Sequence, residues 1–171
     1  MLVNLTEVFS TEGKAEEKQV SYEKDEFVTQ LGTFRIQEKQ PISLILSNIG
    51  HNAALVKGSC KLVFALQCDR CLKDVAYTFD ISFSHEVTPN EDSEQSEDAE
   101  EFMEGYHLNV ETLIDDEILL NWPTKVLCRE DCKGICKMCG KDLNEGPCGC
   151  DDFVPDPRMA AIKDIFNQNL K

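Results

Sequence analysis

Six cysteines crowd the stretch from residue 128 to residue 150, at Cys128, Cys132, Cys136, Cys139, Cys148 and Cys150, and a further pair stands at Cys68 and Cys71. The loop from Lys141 to Pro147 between two of these pairs has Leu143 as its only apolar residue. Such a loop cannot bury enough surface to offset its ordering entropy, so something other than a hydrophobic core must hold it. The total of nine cysteines is odd and does not suit a fully paired disulfide framework. Residues Met1 to Glu7 show no basic region followed by an apolar run, so no secretory leader is expected, and no stretch reaches the roughly 18 apolar residues of a membrane span. A cytosolic, reducing setting is therefore expected, in which clustered cysteines point to metal before disulfides.

The clearest unit is Cys136-Lys137-Met138-Cys139-Gly140. Two intervening residues let both sulfurs reach one tetrahedral ion, and the following glycine tolerates the turn that aims backbone amides at sulfur. Cys148-Gly149-Cys150 closes the tetrahedron, so Cys136, Cys139, Cys148 and Cys150 form the expected primary zinc site. Four thiolates leave no coordination position for water, which makes the site structural. Cys128 and Cys132 either join Cys68 and Cys71 in a second site or exchange with a pair of the first, and an iron–sulfur cluster is the other metal reading. Cys68 and Cys71 as a thiol-redox pair would need a βαβ setting that the surrounding sequence lacks. Cys60 reads as a small core residue.

Residues 1–87 read as a β-rich core. Leu2 to Phe9, Pro41 to Ser47 and Ala54 to Leu66 are apolar or β-branched runs, and Val75, Tyr77, Phe79, Ile81 and Phe83 alternate with polar neighbours in a strand with one buried face. Cys68 and Cys71 then fall at the tip of a hairpin. Residues 88–104 form an acidic linking region, with Thr88 to Glu101 nearly devoid of apolar side chains and expected to be a disordered loop. Residues 105–123 hold a helix from Leu108 to Trp122 that packs on the core. Asn109 is its N-cap, Pro123 its stop, and Val110, Leu113, Ile114, Ile118 and Leu120 its apolar stripe. Residues 124–171 form the cysteine-rich zinc lobe and a short amphipathic helix beginning at Asp156-Pro157-Arg158. The fold class is α+β: an antiparallel β-rich core, one or two helices and a small zinc lobe.

Charge narrows the partner. The net charge is −15, and no Lys or Arg occurs between Lys73 and Lys125, where the whole imbalance lies. Phosphate binding requires clustered cations, so an acidic chain suits a basic protein partner better than nucleic acid. Asp115, Asp116 and Glu117 are a candidate partner contact. Read alone, they are a solvated helix face, because consecutive helical residues diverge by about 100° and do not converge on one ion. The local exception is Lys125, Arg129, Lys133, Lys137 and Lys141, spaced every four residues through the cysteines. They either balance a zinc tetrathiolate or, at Lys133 and Lys137, offer an RNA contact. His51, His85 and His107 have no metal or triad spacing and read as structural or exposed, and no Gly-rich phosphate loop is present.

With these residues in view the chain resembles the YceD family of large ribosomal RNA subunit accumulation proteins of bacteria and plastids. The resemblance rests on Cys68-Asp69-Arg70-Cys71-Leu72, on Asp116-Glu117-Ile118-Leu119-Leu120 running to Pro123, and on the run from Cys128 to Asn144. It continues through Cys148-Gly149-Cys150 and Asp156-Pro157-Arg158. It implies a non-enzymatic, cytoplasmic role in making or stabilising large-subunit ribosomal RNA. The family's gene commonly neighbours that of a zinc-binding large-subunit ribosomal protein, which implies a link to ribosome assembly. The partner implied is a basic ribosomal protein or a pre-ribosomal particle. The hairpin cysteines and the Glu-Ile-Leu-Leu helix are the family's more general features, so the tail zinc is implied to stabilise this branch.

Overall fold

A computed structural model describes residues 1–89 and 102–150. Their architecture is antiparallel β-sheet with two helices.

The spine is one long hairpin. β6 (Ala53–Gln67) pairs with β7 (Asp74–Val87) in unbroken register from Ala54 opposite Val87 to Gln67 opposite Asp74. Period-2 patterning explains its two faces: Leu62, Phe64 and Leu66 on β6, and Phe79, Ile81 and Phe83 on β7, are buried, while Thr78, Asp80 and Ser82 face solvent. Gly58 pairs with Phe83, and a Cβ there would lie 2.2 Å from the tip of the Phe83 ring, so only glycine lets that ring lie across the strand.

On the other edge of β6 two strands lie end to end. β5 (Ile42–Gly50) pairs with its first half and β4 (Gly32–Lys39) with its second. The chain runs straight from one to the other through Gln40, whose N–H donates to Lys61 O at 2.9 Å, and Pro41. β2 (Ala15–Val20) extends the sheet beyond β5, and β3 (Glu26–Thr29) beyond β4. Glu17 on β2 and Arg35, Glu38 and Lys39 on β4 are exposed charges, which masks the alternation of these strands in the sequence.

The run Leu2 to Phe9, expected as a strand, splits into β1 (Leu2–Asn4) and a short helix α1 (Thr6–Ser10). Leu5, Val8 and Phe9 are buried at spacings of three and four, and Phe9 N–H donates to Leu5 O at 3.0 Å. Helical period, not alternation, governs that segment. β1, β9 (His107–Asn109) and β8 (Met103–Glu104) form a second, three-stranded sheet. Leu108 therefore belongs to a strand, and the second helix α2 spans Val110–Leu120. Asn109 is its N-cap as expected, its side chain accepting from Thr112 N–H at 3.4 Å. The helix stops before Pro123, where Asn121 N–H donates to Glu117 O at 3.1 Å.

The buried stripe of α2 is Val110, Leu113, Ile114, Glu117 and Ile118, while Leu120 is 77% exposed. Glu117 thus holds the stripe position expected for Leu120. Just beyond the helix, Trp122 packs among Phe34, Phe79 and Phe27 with centroids 4.6, 5.4 and 5.9 Å away. Offset and tilted rings at such distances contribute roughly 0.5–1.5 kcal/mol per pair beyond burial. This aromatic knot turns the chain from the end of α2 toward the tip of the β6–β7 hairpin. The expected acidic loop falls almost wholly on residues 90–101, and the helix beginning at Asp156 on residues 151–171; both lie outside the described residues. No described helix is long and apolar enough to cross a membrane.

Candidate metal centre

At the hairpin tip, six residues from Cys68 to Lys73 join β6 to β7. Cys68 N–H donates to Lys73 O and Leu72 N–H to Cys68 O, both at 2.9 Å, with Leu72 in the left-handed region at φ 60°. The second Cys-x-x-Cys turn repeats this pattern. Cys136 N–H donates to Lys141 O and Gly140 N–H to Cys136 O, both at 2.8 Å, with Gly140 at φ 71°. Each turn therefore folds the residues around its first cysteine so that N–H groups point at sulfur; Met138 N–H lies 3.4 Å from Cys136 Sγ. Glycine takes the left-handed position without strain in one turn, whereas Leu72 occupies it at a cost of about 1–2 kcal/mol in the other.

The cysteines gather into two groups of four, each with all four Sγ atoms within 4.8 Å of one another: Cys68, Cys71, Cys128 and Cys132, and Cys136, Cys139, Cys148 and Cys150. Cys128 and Cys132 lie with the hairpin pair, the first of the two arrangements expected from the sequence. In the first group Cys68 Sγ is 3.8 Å from Cys132 Sγ, and Cys71 Sγ is 3.5 Å from Cys128 Sγ. A tetrahedron with metal–sulfur bonds of about 2.3 Å has sulfurs roughly 3.8 Å apart, whereas a disulfide would hold them at about 2 Å. Both groups can hold a metal ion, and the donor set is that of a thiophilic one.

The thiols titrate in keeping with this. Burial raises the Cys68 thiol, but the backbone N–H groups of Cys128, Arg70 and Cys71 outweigh it and bring it to about 6. The N–H groups of Cys139 and Met138 lower Cys136 to about 7. At the other extreme, the neighbouring Cys71 thiol and burial push Cys128 up to about 12, and Cys139 and Cys148 push Cys150 up to about 12. In each group at least one thiol is drawn down toward neutrality while another is pushed well up, because negative charges gathered at this spacing need a cation among them.

Polar residues between the cysteines dock the tail onto the hairpin. Asp69 N–H donates to Val126 O at 2.9 Å, and Val126 N–H returns a bond to Asp69 Oδ2 at 2.6 Å. Arg70 Nη1 donates to Cys132 O at 2.6 Å, and Arg70 O accepts from Ile135 N–H at 3.1 Å. Lys73 Nζ reaches Asp142 Oδ2 at 2.6 Å and holds that carboxyl down at about 2. Asn144 ties the two groups together: its Nδ2 faces Cys132 Sγ at 3.4 Å, and its Oδ1 accepts from Lys133 N–H and Arg129 Nη2, both at 2.8 Å. These docking residues were missed by reasoning from ligands alone, although Asp69, Arg70, Asp142 and Asn144 lie inside the two cysteine-bearing motifs and Lys73 and Val126 just beside them. The tail from residue 124 to 150 is thus fastened to the β-sheet at the hairpin tip.

Residues 56–166 match the family described as large ribosomal RNA subunit accumulation protein YceD. The chain belongs to the YceD family. Among its relatives, the uncharacterized protein YlbN of Bacillus subtilis is 29% identical over 105 residues, 61% of this chain and 61% of that protein. Uncharacterized proteins of Mycobacterium bovis (Mb2951c) and Mycobacterium tuberculosis (Rv2926c) are each 30% identical over 116 residues, covering 66% of this chain and 55% of theirs. The chain's matched part thus spans about three fifths of the Bacillus protein and just over half of the mycobacterial ones. No solved structure matches it. The YceD match takes in both cysteine groups and α2.

The acidic trio on α2 departs from a solvated face. Glu117 is buried, and its Oε1 lies 2.7 Å from His85 Nε2 on β7; this corrects Glu117 as a partner contact and gives His85 a structural place. Asp115 is half-buried, accepting from Tyr22 Oη at 2.5 Å and pairing with Lys24. Asp116 is half-buried. Lys133 and Lys137 are exposed beside the two cysteine groups, and Cys60 is buried within β6, where burial raises its thiol to about 11.

Proposed function

We propose that this chain is a non-enzymatic ribosome-assembly factor, stabilised by two structural zinc ions, that supports accumulation of large-subunit ribosomal RNA by binding a basic ribosomal protein or a pre-ribosomal particle. The YceD family match across both cysteine groups carries the reading. Cys68, Cys71, Cys128 and Cys132 would hold one zinc, and Cys136, Cys139, Cys148 and Cys150 the other. Four thiolates close each coordination sphere, so the metal would supply folding energy, not an activated water. Grouping in fours, with two sulfurs contributed from a sequence-distant segment, favours metal over a redox pair at Cys68 and Cys71. The net charge of −15 supports a basic partner.

A second reading, direct RNA contact, draws on Lys133 and Lys137. Both are exposed, whereas Arg129 is bonded to Asn144 and Lys141 to Pro147 O. Sedimentation of the tagged chain with ribosomal particles tests the proposal: co-sedimentation with large-subunit precursors that weakens with salt is expected. No association, or association indifferent to salt, refutes it. Lys133→Glu with Lys137→Glu separates the readings, since it abolishes an RNA contact and leaves a basic protein partner bound.

A further inference from the structure

Between the β3–β4 turn and the end of α2 lies an open cavity of about 520 Å³ lined by Phe27, Val28, Leu31, Asp115 and Leu119. Val28 and Leu31 are 71% and 72% exposed and Leu119 is 47% exposed. Single exposed apolar side chains need no explanation, but three converging on one concavity mark a contact surface. Leu31 also borders a second cavity, of about 690 Å³, which runs past Phe34 and Trp122 to Asp69 and Asp74 at the hairpin tip. Leu31 lines both cavities, so they adjoin at its side chain, and together they are termed the groove.

Its floor is fixed. Phe27 is buried, Trp122 is wedged among four phenylalanines, and Asp69 is hydrogen-bonded to Val126 on both sides. Its charge is acidic at the hairpin-tip end: among the described residues Asp69, Asp74 and Asp115 are the charged residues lining the two cavities, and Asp115 is paired with Lys24. Leu119 belongs to the Asp-Glu-Ile-Leu-Leu stretch of α2, of which Glu117 and Ile118 are buried against the sheet while Leu119 is left to the groove.

We infer that this groove docks a basic, amphipathic segment of a partner protein, its apolar side chains entering at Leu31 and Leu119 and its Lys or Arg residues facing Asp69 and Asp74 at the hairpin tip. An apolar floor with an acidic end recognises that chemistry and disfavours both an acidic chain and a phosphate backbone. The inference rests on the ribosome-assembly reading for the kind of partner and adds the surface that receives it.

The chain has a single tryptophan, and it lines the groove, so Trp122 emission reports occupancy directly. The probe is an 18-residue Trp-free peptide with Leu on one helical face and Lys on the other, titrated into the zinc-loaded full chain. A matched peptide carries Glu in place of every Lys. Expected are a saturable emission change with the Lys peptide, weakening as salt rises from 50 to 500 mM, and none with the Glu peptide. Leu31→Glu combined with Leu119→Glu should weaken binding at least tenfold. Both positions are exposed, and circular dichroism and zinc content verify that the variant folds.

Equal binding of the Glu peptide, full binding by the double variant, or emission that responds to a ribonucleotide oligomer and not to the peptide overturns the inference. So does a concentration-dependent dimer abolished by the double variant, which would assign the groove to a second copy. Binding that emerges only after residues 151–171 are removed would assign it to the chain's own tail and overturns it likewise. Sedimentation separates the two levels. If the double variant still travels with ribosomal particles, the groove inference falls and the assembly reading stands; if the wild type never does but binds the peptide, the reverse holds.

Discussion

Gly134 and Gly140 form a matched pair for testing how the tail is attached. Both are left-handed, at φ 78° and 71°, and each lies within the cysteine-rich segment. They differ in surroundings. A Cβ on Gly134 would lie 2.8 Å from Arg70 O, the same carbonyl that accepts Ile135 N–H, whereas a Cβ on Gly140 meets nothing within 4 Å. Gly140→Ala thus incurs only the left-handed cost of about 1–2 kcal/mol, a fivefold to thirtyfold loss of metal affinity at the second group. Gly134→Ala adds the displaced hydrogen bond, about 1 kcal/mol more, for a loss of roughly 30- to 150-fold at the first group. Competition with a chromophoric zinc chelator reads both affinities, with Cys71→Ser and Cys139→Ser variants assigning each phase to its group. The β-sheet signal in circular dichroism should persist in both variants. Equal losses for the two substitutions would refute the argument that the Cys132 turn is clamped on Arg70 O.

Leu72→Gly should stabilise the zinc-loaded protein by about 1 kcal/mol in thermal melts, since glycine relieves the left-handed strain at a side chain that is 58% exposed. Asp142 is held below the ordinary carboxylate range by Lys73 first and by Asn144 second, so the stabilisation these contacts provide is complete above that range and disappears as pH falls toward about 2; an NMR titration of Asp142 should move up toward, but not reach, an ordinary value in Lys73→Ala. His85→Leu leaves the buried Glu117 carboxylate short of its 2.7 Å partner and should cost about 1–3 kcal/mol, lowering the calorimetric midpoint by several degrees. Chelation at neutral pH should remove two zinc ions per chain, by elemental analysis, and free the eight clustered thiols toward an alkylating reagent while Cys60 stays protected inside β6.

The β6–β7 hairpin and the core of α2 were legible because alternation and helical spacing are written in large apolar side chains. Asn109 as a cap and the tip position of Cys68 and Cys71 followed from local rules. The strands β2 and β4 were not legible, since Glu16, Glu17, Lys18, Arg35 and Glu38 occupy sheet edges and solvent faces where β-structure leaves little apolar signature. The Leu2 to Phe9 run was misread because a strand and a short helix share one apolar stretch. Glu117 defeated the pattern differently: it holds a core position on α2, and the approach of His85 from β7, with Asn121 Nδ2 3.4 Å from its other oxygen, makes that tolerable. The grouping of Cys128 and Cys132 with Cys68 and Cys71 depends on a fold-back across about a third of the chain, which spacing alone does not encode.

That fold-back has a topological consequence. Cys71 and Cys128 are 57 residues apart in sequence, yet their sulfurs lie 3.5 Å from each other. A metal between them closes the intervening chain, β7 and α2 included, into a ring. Closing a ring of this size removes denatured-state entropy worth about 4 kcal/mol in the chain-entropy description used for disulfides. The link would be reversible by a chelator where a disulfide is reversible by a reductant. A single backbone cut anywhere inside the ring would then leave both fragments tethered through the sulfurs until the ion is withdrawn.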